Sequence, residues 1–472
     1  MTPVPALTPD APTVAFVTLG CGRNEVDSDQ SAGALAAAGF RLIEDPEAAD
    51  CVLVNTCAFI EPAREESVET VLAACDLPGK VVVIGCMAER YRDELADAIP
   101  EADAVVGFAD YARLPEIVAS LLGTAPPSVH SEQLRSPGSA TAHNGPGGGL
   151  QIGRAPAPPT ASFPVRTVPK GPWAYLRIAG GCDRLCTFCA IPSFRGRFAS
   201  RPADELLAEA QWLVDAGARE LVCVSENTTS WGKDLPGGRA GITELIDGFG
   251  RLDGLERVRL LYLQPAEIQP ELLDAMAASP VVAPYYDLSL QHASGPVLKR
   301  MGRMGDHERF AALIADIRRR DPHAVFRSSF ITGFPGETDE DVAVLADFLE
   351  EARLDWAGFF TFSIEEGTPS ATMPDQVPHD EACARRDHLV GIAEAIAEEQ
   401  TEAFVGRELA VLIEEQEGPD ALGRSYRESP ETDGEVRLPG CEIPVGRLVP
   451  VRVTGTDGVD LIAQPLRQRG GA

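Results

Sequence analysis

The chain has 472 residues, with 41 Lys and Arg against 72 Asp and Glu, for a net charge of −31. That length divides naturally into two or three domains, and the acidity opposes long-range attraction to phosphate backbones, which disfavours a nucleic-acid partner unless a local basic patch overrides the total. The N-terminus has neither a positive n-region nor an apolar h-region, no apolar run is long enough to span a bilayer, and eleven Cys occur without an export signal, so a cytoplasmic protein using Cys for metal or catalysis, with no membrane attachment, is expected.

In chain order, short apolar strands first alternate with helical segments: Thr13 to Leu19 then Ser31 to Ala38, Cys51 to Val54 then Ala63 to Ala74, and Val81 to Ile84 then Glu89 to Ala98. Such alternation predicts a parallel sheet with helices on its faces. From about 124 to 170 the chain is rich in Pro and Gly and lacks apolar periodicity, as in Gly145-Pro146-Gly147-Gly148-Gly149, which reads as a linker. The rhythm then restarts with strands at Trp173 to Ile178, Glu220 to Val224, Val258 to Tyr262, Tyr286 to Ser289, Phe326 to Ile331 and Trp356 to Phe362. Six strand–helix units fit a partial β/α barrel. Near residue 400 the pattern changes again, and Leu409 to Ile413, Arg447 to Val453 and Val459 to Ile462 predict a small all-β barrel.

The most informative stretch is Gly181-Cys182-Asp183-Arg184-Leu185-Cys186-Thr187-Phe188-Cys189. Structural zinc takes four Cys or His ligands, typically as two close pairs, whereas here three thiols crowd one loop with no His nearby. Three thiolates suit an iron–sulfur cluster, leaving one iron open to bind and cleave a small molecule; zinc, or merely buried Cys, are the competing readings. A second set, Cys21, Cys57 and Cys86, stands just after the three N-terminal strands. In an open parallel sheet the carboxyl ends of the strands share one edge, so these distant residues are expected to converge, with Gly20 and Gly85 permitting tight turns. Cys51, Cys75, Cys223, Cys383 and Cys441 read as structural fillers, a role also open to the trio.

The loop spacing resembles the signature of radical S-adenosylmethionine (SAM) enzymes, and residues 13 to 90 with 173 to 202 together resemble the methylthiotransferases of that superfamily. The carrying motifs are Thr18-Leu19-Gly20-Cys21, Val26-Asp27-Ser28, Asn55-Thr56-Cys57-Ala58-Phe59-Ile60, Gly85-Cys86-Met87-Ala88-Glu89-Arg90, and the cysteine loop running through Ala190-Ile191-Pro192 to Arg195-Gly196 and Ser200-Arg201-Pro202. Gln291-His292, Met301-Gly302-Arg303, Gly333-Phe334-Pro335-Gly336-Glu337-Thr338 and Glu366-Gly367-Thr368 fit the same family. The resemblance implies an α/β protein with a flavodoxin-like N-terminal cluster domain at 12–124, a flexible linker at 125–168, a partial (β/α)6 radical SAM barrel at 169–399 and a C-terminal TRAM β-barrel at 402–468. It also implies SAM and two 4Fe-4S clusters as cofactors, one on Cys21, Cys57 and Cys86, the other on Cys182, Cys186 and Cys189.

Within the family, Asn55 to Ile60 with Ala63 and Glu65-Glu66-Ser67, and Gly423-Arg424-Ser425 leading to Pro430-Glu431-Thr432-Asp433-Gly434, resemble the branch that modifies the β-carbon of an aspartate in the small-subunit ribosomal protein numbered twelve. The alternative is the branch that modifies isopentenyladenosine in tRNA. Charge speaks separately: residues 401 to 472 hold eight Arg, no Lys and thirteen Asp or Glu, so 8 − 13 = −5. An RNA-gripping barrel would be basic, whereas an acidic one suits a basic ribosomal protein, free or on the ribosome; the acidity also follows the bias of the whole chain. An electron donor and a sulfur donor are further expected partners. A non-catalytic iron–sulfur scaffold or ribosome-binding factor, in which the clusters merely order the fold, is the reading from outside enzymology.

Cys223-Val224-Ser225-Glu226-Asn227-Thr228-Thr229 departs from the Gln-Asp-Thr-Thr usual in that branch. Glu226 at a strand end is a candidate SAM contact, or an acid capping a loop. Arg327 lies in a strand whose alternate residues face the lumen and is a candidate for the SAM carboxylate, or a structural ion pair. Gly333 to Thr338 lacks the Gly-Lys-Ser/Thr ending of a phosphate loop, so Thr338 is expected to cap a helix. His292 is expected to be packed or hydrogen-bonded, not a ligand.

Overall fold

A computed structural model describes residues 11–124, 166–236 and 241–466. The expected linker falls mainly on 125–165, outside the described residues. At its end the chain is fixed: Arg166 is buried and pairs with Asp29 at 2.6 Å and Glu209 at 2.9 Å.

The N-terminal unit runs β1 (Thr13–Thr18), α1 (Gly22–Ala37), β2 (Arg41–Leu42), β3 (Cys51–Thr56), α2 (Glu61–Cys75), β4 (Lys80–Gly85), α3 (Cys86–Arg90), α4 (Arg92–Ala98), β5 (Ala104–Val105) and α5 (Leu114–Leu121). All strands are parallel, in the order β2-β1-β3-β4-β5, the flavodoxin-like winding. Every residue of β3 is buried, and of β4 all but Lys80; central parallel strands covered on both faces read as continuous apolar runs for this reason. Helix α1 begins nine residues before the expected Ser31. Its first turns bury Asn24, Asp27 and Ser28, so the inward face is polar and carries no apolar periodicity to read.

The second unit runs β6 (Trp173–Arg177), β7 (Ala179–Gly180), α6 (Ile191–Phe194), β8 (Ala199–Ser200), α7 (Ala203–Asp215), β9 (Glu220–Val224), α8 (Ile242–Phe249), β10 (Arg257–Leu260), α9 (Pro270–Ala278), β11 (Tyr285–Gln291), α10 (Gly295–Arg300), α11 (His307–Arg320), β12 (Val325–Thr332), α12 (Asp339–Ala352), β13 (Trp356–Thr361) and α13 (His379–Glu402). Strands β6, β9 and β10 form one parallel sheet and β11, β12 and β13 another. Parallel bridges Val258–Val282 and Leu263–Leu288 join them into a six-stranded partial barrel. The expected strand through Tyr262 stops at Leu260, because Tyr262 takes φ 61° and donates its N–H to Asp287 at 2.8 Å. Helix α1 lies against β6, with Val26 packed in the same cluster as Tyr175 and Asp27 paired with Arg177.

The third unit is a closed barrel, β14 (Glu408–Glu417), β15 (Asp420–Arg424), β16 (Val436–Leu438), β17 (Leu448–Asp457) and β18 (Asp460–Pro465), in the order β14-β15-β16-β18-β17. It closes the lower, amino-terminal end of the larger barrel. Glu220 there is fully buried and meets Arg257 at 3.2 Å, Arg259 at 3.0 Å and Arg424 of β15 at 3.2 Å. The loop between β15 and β16 reaches the lumen: Tyr285 donates to Asp433 at 2.6 Å, Tyr175 to Glu431 at 2.7 Å, and the Trp356 indole to the Arg427 carbonyl at 2.9 Å. Arg424 and Arg427 are both buried at this junction. No described helix is long and apolar enough to cross a membrane.

Candidate functional site

Strands β1, β3 and β4 are neighbours at the centre of the N-terminal sheet, and each delivers one Cys to the carboxyl edge. Cys21 is the residue before α1, Cys57 follows β3, and Cys86 begins α3. Gly20 (φ 98°) and Gly85 (φ 96°) occupy left-handed conformations. A Cβ on Gly85 would come within 2.3 Å of Asn55 Oδ1, and one on Gly20 within 3.2 Å of Cys57 Sγ, so the backbone must pass close to the thiol edge. The buried polar face of α1 fixes these turns. Asn24 donates to the carbonyls of Leu19 (2.7 Å) and Thr56 (3.2 Å), Asn55 donates to the Asn24 carbonyl (2.8 Å), and the Cys57 N–H donates to Ser67 Oγ (3.0 Å).

Two guanidiniums accompany this trio. Arg23 Nε lies 3.3 Å from Cys21 Sγ, while Arg195, supplied by the second unit, donates to Cys86 Sγ at 3.1 Å, Asn24 Oδ1 at 2.7 Å and Asp27 at 2.8 Å. Burial pushes the Cys21 thiol up, yet the charges of Arg23 and Arg195 outweigh it and hold the thiol below its ordinary value. Burial raises Cys57, and carries Cys86 to about 12 against the pull of Arg195.

Cys182, Cys186 and Cys189 follow β7 on a loop pinned from three sides. The Cys182 N–H donates to the Gly196 carbonyl at 3.1 Å, the Thr187 N–H to the Met301 carbonyl at 3.0 Å, and the Ser370 N–H to the Thr187 carbonyl at 3.0 Å. Gly302 (φ 70°) presses on the loop, since a Cβ there would lie 2.8 Å from the Leu185 carbonyl. Arg303 places Nη1 3.6 Å from Cys186 Sγ and donates to Gln264 Oε1 at 2.9 Å. Burial lifts Cys182 to about 11 and Cys189 to about 12.

The two trios face one another. Arg23 feels Cys21 and Glu226, its charge also reaches Cys189, and Glu226 in turn raises Cys182. Arg23 donates to the Ser225 carbonyl at 3.1 Å and lies 3.7 Å from the Glu226 carboxylate. Among the described residues no three Cys, His, Asp or Glu side chains converge tightly enough to hold a single metal ion. Each trio is open, with its members still within range of one another's charge. Three thiols within range of one another's charge, beside guanidiniums, suit the thiolate ligands of three irons in an iron–sulfur cube, whose binding would draw the protons from the raised thiols.

Of the other predicted residues, Glu226 stands just past β9 between the trios, and its Oε2 is buried without a hydrogen-bond partner. An orphaned buried acceptor is costly unless a ligand meets it. Arg327 sits deeper, 3.5 Å from Asp287 and 3.6 Å from Asp433 of the β15–β16 loop, which is the ion-pair alternative left open by its position. His292 is fully buried; its Nδ1 accepts the N–H groups of Ala293 and Ser294, both at 2.9 Å, and its Nε2 is 3.4 Å from Glu337. Thr338 caps α12 in a reciprocal capping box with Asp341. Sequence reasoning assigned no role to Arg23, Arg195, Arg303 or Glu365. Arg195 and Arg303 lie inside the motifs quoted for the family resemblance, which was the available signal. Glu365 joins the units, accepting from Arg64 at 2.7 Å and Arg90 at 2.6 Å.

Residues 13–107 match the uncharacterized protein family UPF0004, residues 176–349 the radical SAM superfamily, and residues 405–466 the TRAM domain. Proteins named ribosomal protein uS12 methylthiotransferase RimO are similar over nearly the whole chain. The one from Kineococcus radiotolerans is 46% identical, over 96% of this chain and 97% of that protein. The one from Cutibacterium acnes is 46% identical over 96% and 98% respectively. The chain belongs to the ribosomal protein uS12 methylthiotransferase (RimO) family. For this RimO family member, the solved structure of a radical S-adenosylmethionine methyltransferase, TsrM, from Kitasatospora setae, with cobalamin and a [4Fe-4S] cluster bound, has a TM-score of 0.54 at 17% identity, covering 76% of this chain and 74% of that one. This likeness is one of fold.

Proposed function

We propose that the chain methylthiolates the β-carbon of an aspartate in ribosomal protein uS12, using SAM and two 4Fe-4S clusters. The observation that carries this reading is the pair of Cys trios, held by separate units and facing each other across Arg23 and Glu226. In this reading the N-terminal cluster domain spans 12–124, the radical SAM barrel 169–399 and the TRAM barrel 402–468. When bound, the clusters and SAM supply a radical that takes hydrogen from the substrate carbon and a methylated sulfur that replaces it.

The chain's own residues supply place and charge. Cys182, Cys186 and Cys189 hold one cluster, with Arg303 beside Cys186 neutralising the thiolate that binding creates. Cys21, Cys57 and Cys86 hold the other, with Arg23 and Arg195 in the same role. Such neighbours orient ligands and tune the metal site. The unpartnered Oε2 supports Glu226 as the acceptor for the ammonium of SAM. Arg327 contributes by holding the β15–β16 loop at the barrel floor, and takes a SAM carboxylate only by giving up Asp287 or Asp433. Two units closing on one chamber keep a radical from water and side reactions until its partner is in reach. The setting is the cytoplasm, where the ribosomal protein is available free or on the ribosome, and the electron and sulfur come from outside donors.

Anaerobic reconstitution with SAM, a reductant and a sulfur source tests the reading, with the uS12 aspartate loop and an isopentenylated tRNA offered in parallel. Mass spectrometry is expected to find one methylthio group on the aspartate. Addition to the tRNA alone overturns the assignment.

A further inference from the structure

We infer that the seam between residues 59–66 and residues 360–366 is a docking surface for a basic polypeptide loop carrying an apolar side chain. The inference rests on the proposed function, deepening it by naming where a protein substrate is gripped.

Three exposed large apolar side chains gather at this seam, Phe59 (48% exposed), Phe360 (45%) and Ile364 (57%). Phe59 stands two residues beyond Cys57. In β13, Ala357 and Phe359 pack outward into the core under the helices, which turns Gly358 and Phe360 to the lumen side. The seam is rigid: the Glu61 N–H donates to Ser363 Oγ at 3.1 Å, Arg64 and Arg90 close on Glu365, and Arg90 donates to the Glu366 carbonyl at 3.2 Å. Apolar side chains fixed in the open at the upper end of a barrel whose lower end is closed mark the way in.

Charge selects the occupant. Both cations of the seam, Arg64 and Arg90, are turned onto buried Glu365. Glu61, Glu65, Glu66 and Glu366 are exposed, and none makes an ion pair among the described residues. An apolar floor with an unneutralised acidic border repels phosphate backbones and attracts Lys and Arg on either side of an apolar anchor. A second copy of this chain, at net charge −31, fits poorly.

The test uses the cluster-loaded full chain with a uS12 aspartate-loop peptide and two double variants, one on each side of the seam: Glu61→Lys with Glu65→Lys, and Ile364→Ser with Glu366→Lys. Each is expected to raise KM for the peptide by about tenfold or more, while kcat at saturation and substrate-free cleavage of SAM stay within about twofold. A peptide whose flanking Lys and Arg are replaced by Glu is expected to regain affinity for the Glu→Lys enzymes. Unchanged KM in both double variants overturns the docking surface and leaves the proposed function standing. Failure of the unaltered enzyme to modify the peptide, with modification of tRNA, overturns both. Should a double variant lose substrate-free cleavage, Glu61→Gln with Glu366→Gln decides, on the same expected rise in KM. A dimer of the unaltered enzyme in sedimentation that the variants dissolve overturns the peptide as occupant in favour of a second copy.

Discussion

Replacing Glu220 by Gln should loosen the C-terminal barrel from the floor of the larger one. Burial alone would raise the Glu220 carboxyl, but Arg424, Arg259 and Arg257 outweigh it and pull it from 4.5 to about 2. At about 1.4 kcal/mol per pH unit, that gap corresponds to about 3 kcal/mol of stability, shared between Arg257 and Arg259 of β10 in the same barrel and Arg424, the cation of the three that crosses from the small barrel. Breaking a buried ion pair by removing one partner costs about 3–5 kcal/mol, in agreement. Because the folded carboxyl is depressed, the contribution is complete above 4.5 and is lost as the pH falls from there towards about 2. With the crossing pair taking about 1.5 kcal/mol of that, the undocked population rises on the order of 10-fold. Tryptic cleavage after exposed Arg407, in the segment joining α13 to β14, follows that population when reclosing is fast. In cluster-free full-length protein, cleavage of Glu220→Gln at neutral pH should therefore be on the order of 10-fold faster than in the parent. Trp356, whose indole is bonded to Arg427 at 2.9 Å, should report the same undocking by red-shifted emission. Cleavage within about threefold of the parent, with unshifted emission, would refute the argument that this carboxylate holds the two barrels together.

Three other substitutions separate the roles of the site. Cys57→Ala should keep SAM cleavage to 5′-deoxyadenosine but abolish methylthio addition; loss of both in a folded protein would contradict the division between the trios. Arg195→Ala removes the donor 3.1 Å from Cys86 and should lower methylthiolation by about 10–100-fold. The iron retained by a Cys182→Ala, Cys186→Ala, Cys189→Ala background should fall with it, and unchanged iron there would remove Arg195 from the N-terminal site. Gly302→Ala places a Cβ 2.8 Å from the Leu185 carbonyl at φ 70°. A cost of about 1–2 kcal/mol at the cysteine loop is expected, read as weakened cluster retention and slower SAM cleavage, with methylthio addition per cleavage event unchanged.

The parts of the fold that were legible from sequence are those where one force acts alone. Strands β3 and β4 are buried on both faces, so their apolar runs stood out, and the Cys at their ends fell on one edge because parallel winding leaves no other arrangement. The first turns of α1 were not legible, since their buried side, Asn24, Asp27 and Ser28, serves hydrogen bonds in place of an apolar core. Strands β15 and β16 escaped for another reason. Asp420–Arg424 holds no β-branched residue and Val436–Leu438 has only three residues, so pairing with neighbours creates them, not local preference. Arg195 could be quoted in a motif but not given its role, because its contact with Cys86 spans 109 positions. Arg327 could be placed on the lumen face, yet its partner Asp433 arrives from a loop more than a hundred residues later.

The inward turn of Arg424 and Arg427 has a consequence for how this protein can diverge. A small barrel that held RNA would need such cations outside; here Arg424 reaches Glu220 and Arg427 reaches Thr401 and Trp356 of the larger barrel, and exposed Glu415 and Glu442 remain on the outside without ion pairs among the described residues. Attachment and outward charge are therefore borne by different residues. Mutation can recolour the outer face, and so retune which macromolecules it tolerates, without disturbing the seat on which that barrel rests.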